Sequence, residues 1–150
     1  MLKTTRFFAI LSVATAVFAC SEPEPVNSEW HNLPTEGWRY GNTLTFNAEK
    51  DTFPADTILL SVRHTAAYPY ANLWLEVKYE TADTVRADTV DIRLADEFGQ
   101  WNGTGSSLSF QLSDTILPSA AIRPGSPVSI RHIMRLDTLR EIQQLGIEFK

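Results

Sequence analysis

Cysteine is almost absent from this chain: Cys20 is the only one in 150 residues. No internal disulfide can form, so an exported domain of this sequence has to be held by its apolar core alone. Histidine is scarce as well. Of the three, His64 and His132 fall on the apolar phase of their segments, with no carboxylate or third histidine at ligand spacing, so no metal is expected. Positive charge is thin, with 13 Lys and Arg against 18 Asp and Glu and no basic cluster. That balance argues against nucleic acid and anionic lipid surfaces as partners. No phosphate loop, Ser-His-Asp set, paired-carboxylate signature or cofactor motif is present, so neither catalysis nor a cofactor is expected.

No apolar run is long enough to span a membrane either, and the longest has another use. Lys3 and Arg6 precede an uncharged, mostly apolar stretch from Phe7 to Ala19. As a helix it would measure about 20 Å against a hydrocarbon core of about 30 Å, which suits the h-region of a secretion signal. It ends in Val17-Phe18-Ala19-Cys20, which resembles the lipobox of bacterial lipoproteins, with Phe18 departing from the usual small residue. The expected product starts at Cys20, carries diacylglycerol on its thiol and is further acylated (with palmitate or a similar chain) on its new amino terminus. Several chains hold a protein on the bilayer far better than one. Cleavage removes two bases and no acid, and the formal charge goes from −5 to −7.

Residues 1–19 are thus read as signal peptide and residues 20–37 as the lipidated end and a flexible tether. The tether contains Pro23, Pro25 and Pro34 and few apolar residues, among them Trp30, which is placed to dock on the domain. Residues 38–150 form the domain, and period-two alternation dominates them. Ile58, Leu60 and Val62 share one face; Leu73, Leu75, Val77 and Tyr79 another; Val90, Ile92 and Leu94, Leu108, Phe110 and Leu112, and Val128 and Ile130 continue the pattern, while Ile147 and Phe149 close the chain. Seven to eight short strands separated by turn residues predict an all-β fold, a single antiparallel β-sandwich of jelly-roll or immunoglobulin-like topology. A turn near Leu139 to Gln144 is the one helical candidate.

Two segments stand out as candidate surfaces. Arg63-His64-Thr65-Ala66-Ala67-Tyr68-Pro69-Tyr70-Ala71-Asn72-Leu73-Trp74 joins two strands, expected to be neighbours, through a loop with tyrosines on both sides of a proline. Those rings, with Trp74 and with Trp101 from the Gly99-Gln100-Trp101-Asn102-Gly103-Thr104-Gly105 run, either plug the ends of the sandwich or stack on a flat sugar face. Arg63, Tyr68, Tyr70, Asn72, Trp74 and Trp101 are the candidate interaction residues. Asp-Thr-aliphatic triplets at Thr57, Thr84, Thr89, Thr115 and Thr138 read as turn-to-strand junctions. They also resemble the acceptor of O-glycosylation in exported Bacteroidota proteins.

Three stretches together resemble the gliding-motility lipoprotein GldH family of Bacteroidota: the lipobox with Cys20; Arg63-His64 with Tyr68-Pro69-Tyr70-Ala71-Asn72-Leu73-Trp74-Leu75; and the Gly99–Gly105 run with His132–Leu139 and Leu145-Gly146-Ile147. The resemblance implies a lipid-anchored envelope protein, expected at the outer membrane. Its partners would be the bilayer, through acylated Cys20, and other gliding or secretion proteins. It brings no catalytic residues. Two functions remain open: a structural or assembly lipoprotein, and a carbohydrate-binding module using exposed aromatics. The second requires at least two of the named rings side by side in water.

Overall fold

The structure, a computed structural model, describes residues 28–47, 56–106 and 108–150. Cys20, and with it the signal peptide and lipobox, lies outside the described residues. Eleven strands form: β1 (Ser28–Asn32), β2 (Trp38–Arg39), β3 (Leu44–Asn47), β4 (Ile58–His64), β5 (Asn72–Glu80), β6 (Val85–Arg93), β7 (Thr104–Ser106), β8 (Ser109–Ile116), β9 (Pro127–His132), β10 (Thr138–Leu139) and β11 (Ile142–Phe149). Every pairing is antiparallel. One sheet runs β1-β11-β4-β8-β7 and the other β3-β9-β5-β6, with the β10-β2 pair as a small third ladder.

The alternation explains the architecture. Leu73, Leu75, Val77 and Tyr79 of β5 are all buried, and Trp74 and Lys78 between them are exposed. The inward residues of β4 and β11 meet those of β5 and β9 in one apolar core, closed by the wholly buried Trp38. Trp38 satisfies its indole N–H by donating to the Asn42 carbonyl at 2.8 Å. The fold is a β-sandwich, as the period-two pattern predicts.

Three local expectations change, and one connection takes a form that the sequence leaves open. The segment read as tether up to residue 37 contains β1, an edge strand zipped onto β11 from Ser28↔Glu148 to Asn32↔Gln144, so the domain starts at Ser28 or before. The candidate helical turn at Leu139 to Gln144 is a strand junction. Glu141 takes a positive φ of 72°, which turns β10 into β11, and among the described residues there is no helix. The short loop from His64 to Trp74 joins strands that share the core but not a sheet: β4 belongs to one sheet and β5 to the other, so the loop arches over the core. Leu108 does not face inward; it precedes β8 and is 80% exposed.

Candidate interaction surfaces

The arch between β4 and β5 is set by local hydrogen bonds. The Ala67 amide donates to Thr65 Oγ1 at 3.1 Å, and the Tyr68 amide donates to the Thr65 carbonyl at 3.2 Å. Thr65 Oγ1 in turn donates to Glu141 Oε2 at 2.5 Å, tying the arch to the start of β11. Pro69 fixes its own φ and disfavours the helical region for Tyr68 before it. Tyr68 consequently points into the core, only 3% exposed, and its hydroxyl donates to the Asn72 carbonyl at 3.0 Å. Burial, with a smaller contribution from the neighbouring Tyr70, pushes the Tyr68 phenol well above its usual range. Tyr70 is half-buried and meets Tyr68 edge-to-face at 5.6 Å between centroids.

The six candidate residues do not converge. Arg63 projects from the outer face of the five-stranded sheet. Asn72 is engaged with Asp91, donating to its Oδ1 at 2.7 Å. Trp101 is half-buried, edge-on to His64 at 4.6 Å and tilted against Phe110 at 6.1 Å, where it covers one end of the core. Tyr70 and Trp74 alone share an opening, a groove of about 580 Å³ whose other walls are Ile133, Met134, Arg135 and Leu136. Met134 anchors this wall, its sulfur accepting from the Trp74 amide at 3.4 Å.

His64 and His132 are fully buried, and each satisfies one ring nitrogen on a backbone carbonyl: His64 Nδ1 with Thr65 at 2.9 Å, His132 Nε2 with Trp38 at 2.9 Å. The second nitrogen of each, Nε2 of His64 and Nδ1 of His132, has no partner. Desolvation lowers both imidazole pKa values, opposed by those carbonyl contacts. Among the described residues no three His, Cys, Asp or Glu side chains gather as a metal site.

The five triplet threonines are scattered. Thr84, Thr89 and Thr115 are exposed, whereas Thr57 and Thr138 are half-buried. Thr57 donates to its own Asp56 at 3.1 Å, and the Thr138 methyl covers Gly37.

The outer face of the five-stranded sheet holds a side-chain row that the single sequence does not announce. Register aligns Asn32, Gln144, Arg63 and Gln111 on four neighbouring strands. Gln144 Nε2 donates to Asn32 Oδ1 at 2.5 Å, Arg63 donates to Gln144 Oε1, and Arg63 Nη2 donates to Gln111 Oε1 at 2.6 Å. One row along, the Trp30 ring lies over Gly146 with the Arg63 guanidinium carbon 5.1 Å from its centroid. The signal available in sequence was limited to Trp30 and a run of outward-phase amides.

A β-sandwich domain behind an N-terminal sequence that resembles a lipoprotein signal is the arrangement of an envelope lipoprotein. The family of GldH lipoproteins matches residues 25–149, and the chain belongs to that family. No curated protein matches the chain. Among solved structures it is similar to an exo-beta-1,3-galactanase from Phanerochaete chrysosporium crystallised with galactose, at 10% identity and a TM-score of 0.41. The similarity covers 81% of this chain and 26% of the enzyme, so the chain spans about a quarter of that protein's length.

Proposed function

We propose that this chain is a non-catalytic assembly component of the gliding and secretion machinery, held on the outer membrane by lipid on Cys20 and docking envelope proteins through the far end of the sandwich. One observation carries the reading: the polarity of the domain relative to its anchor. Only residues 21–27 separate Cys20 from β1, a reach of at most about 30 Å even fully extended. The starts of β1 and β4 and the ends of β8 and β11 lie together at that near end. The arch, Trp74, Leu136, Phe98 and Leu108 lie at the opposite end, where Phe98 is 79% exposed. Leu117 and Val85 are exposed at the near end, facing the anchor side. Apolar side chains presented away from the bilayer suit protein contact.

Cys20→Ser should abolish lipid labelling and release the protein from the membrane fraction. Unchanged attachment would overturn the anchor. Phe98→Asp with Trp74→Asp should leave attachment intact and remove crosslinked neighbours in whole cells. If the neighbours persist, the far end is not the docking surface.

The same export route would expose the Asp-Thr-aliphatic triplets to glycosylation. Native protein should be heavier than peptide plus lipid. The excess should disappear with Thr→Ala at 84, 89 and 115, the exposed acceptors, before it responds to 57 or 138. An intact mass equal to the bare lipoprotein would end the idea.

A further inference from the structure

From the outer face of the five-stranded sheet we infer a second site, a binding groove for an uncharged oligosaccharide, with Trp30 as its platform. The ring is a built feature. A Cβ placed on Gly146 would meet Trp30 Cδ2, Cε2 and Cε3 at 2.5, 2.6 and 2.7 Å. Near-equal distances to both ring-fusion atoms mean that the indole lies flat on the strand, and only glycine leaves room for it there. The Arg63 guanidinium carbon, 5.1 Å from the ring centroid, shares the outer side of the ring, and the residue still keeps 38% of its surface open. An aromatic face carries negative quadrupole charge and attracts the weakly positive C–H face of a pyranose ring.

The surroundings match a polyol. Gln111, Gln144 and Asn32 supply planar amides whose oxygens already accept within the row, and three of the five Arg63 N–H donors are not used by those bonds. Ser61 and Ser113 add hydroxyls, their oxygens 2.7 Å apart. Grooves of about 460 Å³ beside Trp30 and about 660 Å³ beside Glu141 flank this row. Arg63 borders the larger and Gln111 the smaller, and the two are hydrogen-bonded to each other, so only this row separates the grooves.

Charge selects among ligands. Along the two grooves the cations Arg63 and Lys150, the latter 3.8 Å from Glu148, balance the anions Glu148 and Glu141, so the face draws neither polyanions nor polycations. Trp30 and Leu59 beside the smaller groove and Leu33 and Pro34 beside the larger are its apolar side chains, set apart by the polar row and so without the continuous apolar centre of a protein interface. A sugar site needs what is present: one or two rings and several convergent polar groups.

The test uses the mature lipoprotein in detergent, titrated with cellohexaose, laminarihexaose and chitohexaose, with oligogalacturonate as the charged comparison, read by calorimetry and tryptophan fluorescence. A neutral hexasaccharide should bind. Trp30→Ala should weaken it at least tenfold, about 1.4 kcal/mol. Gln111→Leu should weaken it less, and Trp74→Ala should leave it unchanged. Trp30→Phe keeps a ring on Gly146 and should restore part of the affinity, which separates loss of the platform from loss of folding. Absence of binding by all three neutral sugars, preference for oligogalacturonate, or binding that depends on Trp74 and not on Trp30 would each overturn the site. None of these outcomes bears on membrane attachment or on docking at the far end.

Discussion

Tyr68→Ala should unfold the domain at a much lower temperature, whereas Tyr70→Ala should leave the melting curve close to the parent's. The two residues flank one proline and look alike in sequence, but the arch sends them to different environments. Tyr68 is 3% exposed, packs with His64 at 5.8 Å and Tyr70 at 5.6 Å, and is part of the single core cluster. Truncating a buried aromatic costs about 3–5 kcal/mol. Against a domain stability of about 5–15 kcal/mol that is a large fraction. Loss of the hydroxyl's bond to the Asn72 carbonyl is the smaller part, and Tyr68→Phe isolates it at about 1 kcal/mol. Tyr70 is half-buried on a groove wall, and its removal should cost roughly 1 kcal/mol. Thermal unfolding of each variant beside the parent decides the matter. Equal, negligible shifts for both would refute a structural role for Tyr68 and move it to the contact surface.

This difference between two neighbouring tyrosines shows where single-sequence reading succeeds and where it stops. Period-two alternation marks β4, β5 and β9 because each buries one face, and burial leaves its imprint on consecutive residues. Nothing local marks β1. Its sequence Ser-Glu-Trp-His-Asn follows two prolines and resembles a tether, and it becomes a strand because β11 offers an open edge. Nor do β2, β7 and β10 have enough residues to show a period. The arch shows a topological limit: a short connection joins strands close in space, but in a sandwich the close strand can lie in the opposite sheet, and the sequence does not say which. The groove on the outer sheet face is the extreme case. Asn32 and Gln144 are 112 positions apart and Arg63 and Gln111 are 48 apart, so their row exists only once register is fixed. In sequence these residues read as ordinary solvated phase. Trp30 was the exception, a large ring in an otherwise polar stretch.

Acidification from about pH 8 to about pH 5 should destabilise the domain well before its carboxylates titrate, through His64 and His132. Both rings are fully buried and each has one nitrogen without an acceptor. A protonated imidazole donates from both nitrogens, so charging either ring would bury a donor with no partner. Around His64 the facing groups are the rings of Tyr68, Trp101 and Phe110. Around His132 they are Trp38 and Tyr40; desolvation and the Arg131 charge disfavour a cation there, and the backbone carbonyls of Trp38 and Arg39 oppose them without reversing the direction. Both folded-state pKa values therefore lie below the unfolded value of about 6.5. The sign follows: below that value the unfolded chain binds more protons than the folded one, so stability falls with pH. The contribution is complete above the unfolded pKa, is lost as pH drops through the interval to the folded values, and then levels off. At its steepest the loss is about 1.4 kcal/mol per pH unit for each histidine. Glu76, stabilised by its hydrogen bond from Arg131, has a carboxyl held below its ordinary value, so its own loss comes mainly below the range from about pH 8 to about pH 5. Melting temperatures across that range should fall most for the parent. His64→Asn and His132→Asn should each start less stable and show about half the parent's slope. A parent melting temperature that stays level down to about pH 5 would mean that both rings accept a proton in place, and the argument from their unpartnered nitrogens would fail.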